Sequence, residues 1–284
     1  MSRRPIALLG LAAASVAGAF AVWLAAFHVA AGRMLDGRAL VSFTGVARAP
    51  ITPPRIDGFS NLVDAFPFAI AASVLVIVAL LRRRWLMAAT AAGILLSANL
   101  ATQVLKPALA DLRTFDVRGV ESTYPGSWPS GHSTAAMSLA LCLVLVVGPR
   151  LRPLAALVGA GFAIAVGYSL IVLGFHLPSD VLGGYLVAGT FTLFWVAGLA
   201  AAEARWPGSP AAASRTTRTP ALLAAPTIAM LAVAAVGVAA DVVFVLAPDA
   251  TVDALEHPVA ILAGLGIALL GIALTSGLAR ALRR

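Results

Sequence analysis

The alternation of apolar and polar positions along the chain predicts helices throughout. Runs of Ala, Leu, Val and Ile, each about 20 residues long, are separated by short polar clusters. A run of about 20 apolar residues matches the roughly 30 Å of hydrocarbon in a bilayer. Eight spans are predicted: Pro5–Ala31, Leu62–Leu81, Trp85–Leu105, Ser133–Gly148, Leu154–Phe175, Asp180–Ala201, Ala221–Ala247 and Pro258–Ala279. The first exceeds the roughly 7 to 15 apolar residues of a signal-peptide core and more spans follow it, so it is expected to stay in the protein. The expected fold class is an all-α, polytopic membrane helix bundle.

Charge gives the bundle a direction. Arginines gather at alternate ends of the spans: Arg3 and Arg4, Arg82 to Arg84, Arg150 and Arg152, Arg205, Arg215 and Arg218, then Arg280, Arg283 and Arg284. The positive-inside rule makes these ends cytoplasmic, which puts both termini inside. Glu203 apart, the acids lie at the other ends or, like Asp241, toward the outer half of a span. The net charge of +8 therefore marks a surface facing anionic lipid and not a nucleic-acid site. With 61% apolar and 11% charged residues among 284, and a mean hydropathy of +0.96, a soluble domain is excluded. Cys142 is alone, within a span, and can form no internal disulfide.

Three stretches break the apolar pattern, all on the predicted outer side. The first, "LKPALADLRTFDVRG", holds Lys106 and Arg113, seven positions apart. On a helix that spacing is about two turns and would send both cations to one side, toward a ligand or simply to the interface as anchors. The second, "SWPSGHSTAAM", opens a span with Pro129, Ser130, Gly131 and His132. Ser130 can cap the helix, Gly131 lets backbone approach a ligand, and a helix start is an anion site by virtue of its free N–H groups. The alternative is an ordinary capped helix with an interfacial histidine. The third, "YSLIVLGFHLPSDVLGG", brings His176 and Asp180 to either side of Pro178. A tight turn there leaves them in contact, so that the carboxylate fixes one imidazole tautomer and frees the other nitrogen as nucleophile or base.

Together these residues resemble the type 2 phosphatidic acid phosphatase family, also called the lipid phosphate phosphatase superfamily. Its motifs are Lys-x6-Arg-Pro, Pro-Ser-Gly-His and Ser-Arg-x5-His-x3-Asp. They correspond here to Lys106 to Arg113, Pro129 to His132, and Ser169 through His176 to Asp180. The resemblance implies that His176 attacks phosphorus, that Asp180 orients it, and that His132 protonates the leaving group and then activates water. Lys106, Arg113, Ser130 and the Gly131 backbone would hold the phosphate, with no metal and no cofactor. Two positions depart from the pattern: Thr114 replaces the proline, and Leu170 stands where the third motif has arginine. Arg118, in the loop before the second motif, is a candidate for the missing cation.

The expected organisation is a six-helix core over 1–201 with its motifs in 106–180, a cytoplasmic linker over 202–220, and a two-helix extension over 221–284. The extension, with Asp241 in its first helix, is a candidate contact for a homo-oligomer, a wall for lipid entry or a partner site. The loop from Gly32 to Asn61 is expected to be a plain solvated connection. The function expected is hydrolysis of a lipid phosphate or diphosphate at the extracytoplasmic face of a bacterial plasma membrane, the substrate arriving from the bilayer. Polyprenyl phosphates or diphosphates, phosphatidic acid and phosphatidylglycerol phosphate are the candidate substrates. Transfer of the phosphoryl group to an alcohol, or binding or transport of a lipid phosphate without turnover, are the alternatives.

Overall fold

The computed structural model describes residues 3–47, 60–113, 126–205 and 258–282. These residues form eight helices and no strand: α1 Arg3–His28, α2 Ala30–Ala47, α3 Ala65–Leu81, α4 Trp85–Ala108, α5 Gly131–Val146, α6 Arg152–Val172, α7 Pro178–Arg205 and α8 Pro258–Ala281. Five of them, α1, α4, α6, α7 and α8, are long and apolar enough to cross a membrane. The apolar helices α3 and α5 are shorter, at 17 and 16 residues. The chain is thus an all-helical, multi-pass membrane protein. The span expected at Ala221–Ala247, Asp241, residues 206–220 of the linker expected over 202–220, and Arg118 lie outside the described residues, while 202–205 continue α7. One expectation changes: much of the stretch from Gly32 to Asn61 is not a solvated loop, because α2 continues through it to Ala47 and packs on α1, α6, α7 and α8.

At the centre stands α5. Every residue from Ser133 to Val146 is buried, as expected of a helix that is apolar all round, and α4, α6, α7 and α8 surround it. Small residues set the spacing. A methyl group added at Gly184 of α7 would fall 2.7 Å from the Ser130 carbonyl oxygen, and one at Gly159 of α6 would fall 3.1 Å from Ala140 Cβ. The last helix joins the same core: Ile267 is fully buried and the Tyr168 hydroxyl donates to the Gly264 carbonyl at 2.7 Å.

The bundle has two chemically different ends. At one, arginines satisfy carbonyls that helix ends leave free: Arg82 donates to Val146, Arg4 to Ala281 and Arg152 to Leu282, at 2.8, 2.9 and 2.7 Å. At the other end lie Asp64 at the start of α3, Lys106 in the last turn of α4, His132 in the first turn of α5, His176 in the turn between α6 and α7, Asp180 in the first turn of α7, and Asp36 of α2 against Ser179.

Candidate active site

Between α6 and α7 the chain makes a short turn, with Gly174 at φ +75°, a left-handed conformation that glycine adopts without strain. The N–H groups of Phe175 and His176 both donate to the Leu170 carbonyl, at 2.9 and 3.2 Å. The turn presents His176 to Asp180 across Pro178. Nδ1 lies 3.3 Å from Asp180 Oδ2, which also accepts the Leu177 N–H at 3.1 Å. With Nδ1 donating to this carboxylate, the free lone pair of the neutral ring is on Nε2.

His176 lines a cavity of about 520 Å³ together with Lys106, Pro107, Ala110, Gly126, Ser127 and Phe175. Lys106 points toward the start of α5: a methyl group on Gly131 would meet its Nζ at 3.8 Å and nothing else within 4 Å. An ammonium, a helix N-terminus and an imidazole therefore converge, which is the chemistry of an anion site. Lys106 and His176 are the cation-forming side chains among the described lining residues. Leu170 adds no charge there, being wholly buried in the apolar core.

Arg113 is placed differently from the sequence expectation. Helix α4 ends at Ala108, so Lys106 and Arg113 do not share a helical face. Lys106 faces the cavity, whereas Arg113 is 1% exposed. Its Nη2 donates to Asp180 Oδ1 and to the Ser127 hydroxyl, its Nη1 to the Ser179 hydroxyl at 3.1 Å and to Asp36 Oδ2 at 3.4 Å. The guanidinium also sits over the Phe27 ring, 4.3 Å from its centre. Ser130 is likewise turned inward: its hydroxyl caps α5 by accepting the Ser133 N–H, and its own N–H donates to the Asp180 carbonyl at 3.0 Å. Neither lines the cavity. Arg113 ties the first motif to the third, and Ser130 ties the second to the third.

His132, in the first turn of α5, lies outside the lining residues and is partly exposed. Its Nε2 is 3.0 Å from Asp64 Oδ1, at the start of α3. Asp36, Asp64, Ser127 and Ser179 surround the site without being flagged by motif spacing; Asp36 follows the first predicted span and Asp64 lies at the start of the second. Burial, and then the neighbouring Asp180, push the Asp36 carboxyl from an ordinary 3.8 up to about 6, against the opposite pull of Ser179 and Arg113.

Beside the polar cavity runs an apolar one of about 380 Å³ between α1, α4 and α7, lined among others by Phe20, Trp23, Leu105, Leu109 and Trp128. Leu105 is adjacent in sequence to Lys106, and Trp128 to Ser127, so neighbouring residues of the chain line the two cavities.

Residues 84–203 match the family model of the PAP2 superfamily. The chain is also similar in structure to a protein described as the first transmembrane PAP2 type phosphatidylglycerolphosphate phosphatase from Bacillus subtilis, at 21% identity over 71% of this chain and 98% of that one, with a TM-score of 0.49. Among curated proteins none matches significantly. The matched residues 84–203 run from the start of α4 to the last turn of α7 and hold all three motifs, so the part of the chain that builds the site is the part similar to the PAP2 superfamily.

Proposed function

We propose that the protein is a lipid phosphatase that removes the phosphate or diphosphate of a membrane lipid at the extracytoplasmic face through a phosphohistidine intermediate. The observation that carries this reading is the His176–Asp180 pair at the wall of a polar cavity shared with Lys106. A site that only binds anions has no need of a tautomer-fixed imidazole. Nε2 of His176 attacks phosphorus and the bond to the lipid oxygen breaks. His132, held by Asp64 at 3.0 Å, gives its proton to that oxygen. His132 then takes a proton from water, whose oxygen attacks phosphorus. The P–N bond breaks, inorganic phosphate leaves, and Nε2 regains its lone pair. Lys106 and the N-terminus of α5 at Gly131 hold the phosphoryl oxygens, while Arg113 and Ser130 keep Asp180 and α5 in place.

The apolar cavity, lined by Leu105 next to Lys106, supports a lipid substrate, since it offers an acyl or prenyl chain a dry surface near the polar site. The arginine-rich opposite end supports an extracytoplasmic site by the positive-inside rule. Polyprenyl phosphates or diphosphates, phosphatidic acid and phosphatidylglycerol phosphate are the substrates to compare. The test is phosphate release by purified protein in detergent with EDTA, wild type against His176→Ala. Release by wild type alone on one of these lipids is the expected result. A phosphorylated alcohol in place of free phosphate would mean transfer, and binding without either product would retire the enzyme reading.

A further inference from the structure

Asp36 belongs to none of the three motifs and lies outside the matched residues 84–203. It is nonetheless a buried carboxylate, 7% exposed, on a helix docked against the site. Its Oδ1 accepts the Ser179 N–H at 3.0 Å, and its Oδ2 accepts the Ser179 hydroxyl and Arg113 Nη1. Ser179 is the second residue of α7, and the first, Pro178, has no N–H to offer. Asp36 therefore supplies, from another helix, the acceptor that the first turn of α7 lacks. The other arm of the guanidinium holds Asp180 Oδ1, and Asp180 Oδ2 holds His176. Polar contacts thus run unbroken from Asp36 through Arg113 to Asp180 and His176.

We propose that Asp36 is a positioning residue for the nucleophile: by fixing the Arg113 fork and the first turn of α7, it keeps the Asp180 carboxylate aimed at Nδ1 of His176. The inference rests on the phosphatase reading. Geometry and charge act together here. One guanidinium shared between two carboxylates leaves Asp180 with negative charge to spend on the imidazole, whereas a guanidinium left to Asp180 alone would quench more of it. Asp36 lines neither cavity, so its effect should fall on the chemical step and not on substrate binding.

The test compares wild type, Asp36→Asn and Ser179→Ala, full length in detergent, on whichever of the three candidate lipids wild type hydrolyses fastest, with melting curves for each. Groups that orient a catalytic ligand typically cost about 10- to 100-fold when removed. The expected result is kcat lower by about tenfold or more in Asp36→Asn, with KM within about twofold of wild type. Should Asp36→Asn not fold, Ser179→Ala, which removes only the hydroxyl between Asp36 and Arg113, is read in the same way. A folded variant with wild-type kcat overturns the inference, as does a rise in KM with kcat unchanged. Both outcomes leave the phosphatase reading intact, whereas a wild type inactive on all three lipids removes that reading and this inference with it.

Discussion

Replacing Arg113 by methionine separates two roles for this residue. A guanidinium that grips substrate can be removed at the expense of affinity alone. One that holds two buried carboxylates cannot. Arg113 and Asp180 are 1% and 0% exposed, Asp36 is 7% exposed, and the fork makes four polar contacts besides resting on Phe27. Breaking a buried pair by removing one partner typically costs about 3–5 kcal/mol, because the remaining charge is left without compensation. The loss is partly relieved here, since Asp36, already pushed up to about 6, is close to taking a proton at neutral pH. We therefore expect about 3 kcal/mol, at the lower edge of that range. At about 2–4 °C per kcal/mol for a chain of this size, Arg113→Met should melt about 6–12 °C below wild type. Arg113→Lys keeps the charge but not the fork and should fall between the two. Melting is followed by tryptophan fluorescence in detergent, with kcat and KM measured on the same preparations. An Arg113→Met protein that melts within about 2 °C of wild type but binds substrate about tenfold more weakly would refute the buried-clamp account and return Arg113 to the phosphate.

Three further outcomes follow from the same geometry. Gly131→Ala introduces a methyl group 3.8 Å from Lys106 Nζ with no clash, so melting should be unchanged while KM rises about tenfold, as inhibition by inorganic phosphate and steady-state kinetics would show. Gly183→Ala places a methyl group 2.5 Å from the Trp128 indole, an overpacking that costs about 1–3 kcal/mol. Because Trp128 precedes Pro129, both melting temperature and kcat should fall, and tryptophan emission should shift. Asp36 has its folded pKa raised above 3.8 to about 6, so its contribution to stability is full below about 3.8 and is lost as pH rises through about 6. The melting temperature of wild type relative to Asp36→Asn should thus increase between pH 7 and pH 5; a difference independent of pH would contradict the shift.

Hydropathy and motif spacing were sufficient for the helical class, for seven of the apolar helices and for the three segments that converge on one end of the bundle. These are short-range properties: a span is a continuous apolar run, and His176 and Asp180 are four residues apart, so a single turn decides their contact. The partners of Arg113 and His132 were not legible in this way. Asp36 is 77 residues from Arg113, and Asp64 is 68 from His132. Nothing local distinguishes an acid that pairs across the bundle from one that meets water. The same holds for α2, whose mixed composition reads as loop until α6, α7 and α8 give it a surface to cover. Lys106 and Arg113 show the division most clearly. Sequence spacing gave them a shared side, but α4 ends between them, and packing then sends the ammonium to the cavity and the guanidinium to the carboxylates. The sequence alone determined which stretches form long apolar helices and which break the apolar pattern with polar side chains, because those depend on residue type and near neighbours. Only the tertiary structure decided which charges compensate one another, because burial forces each ionised group to find a partner wherever the packed helices bring one within reach.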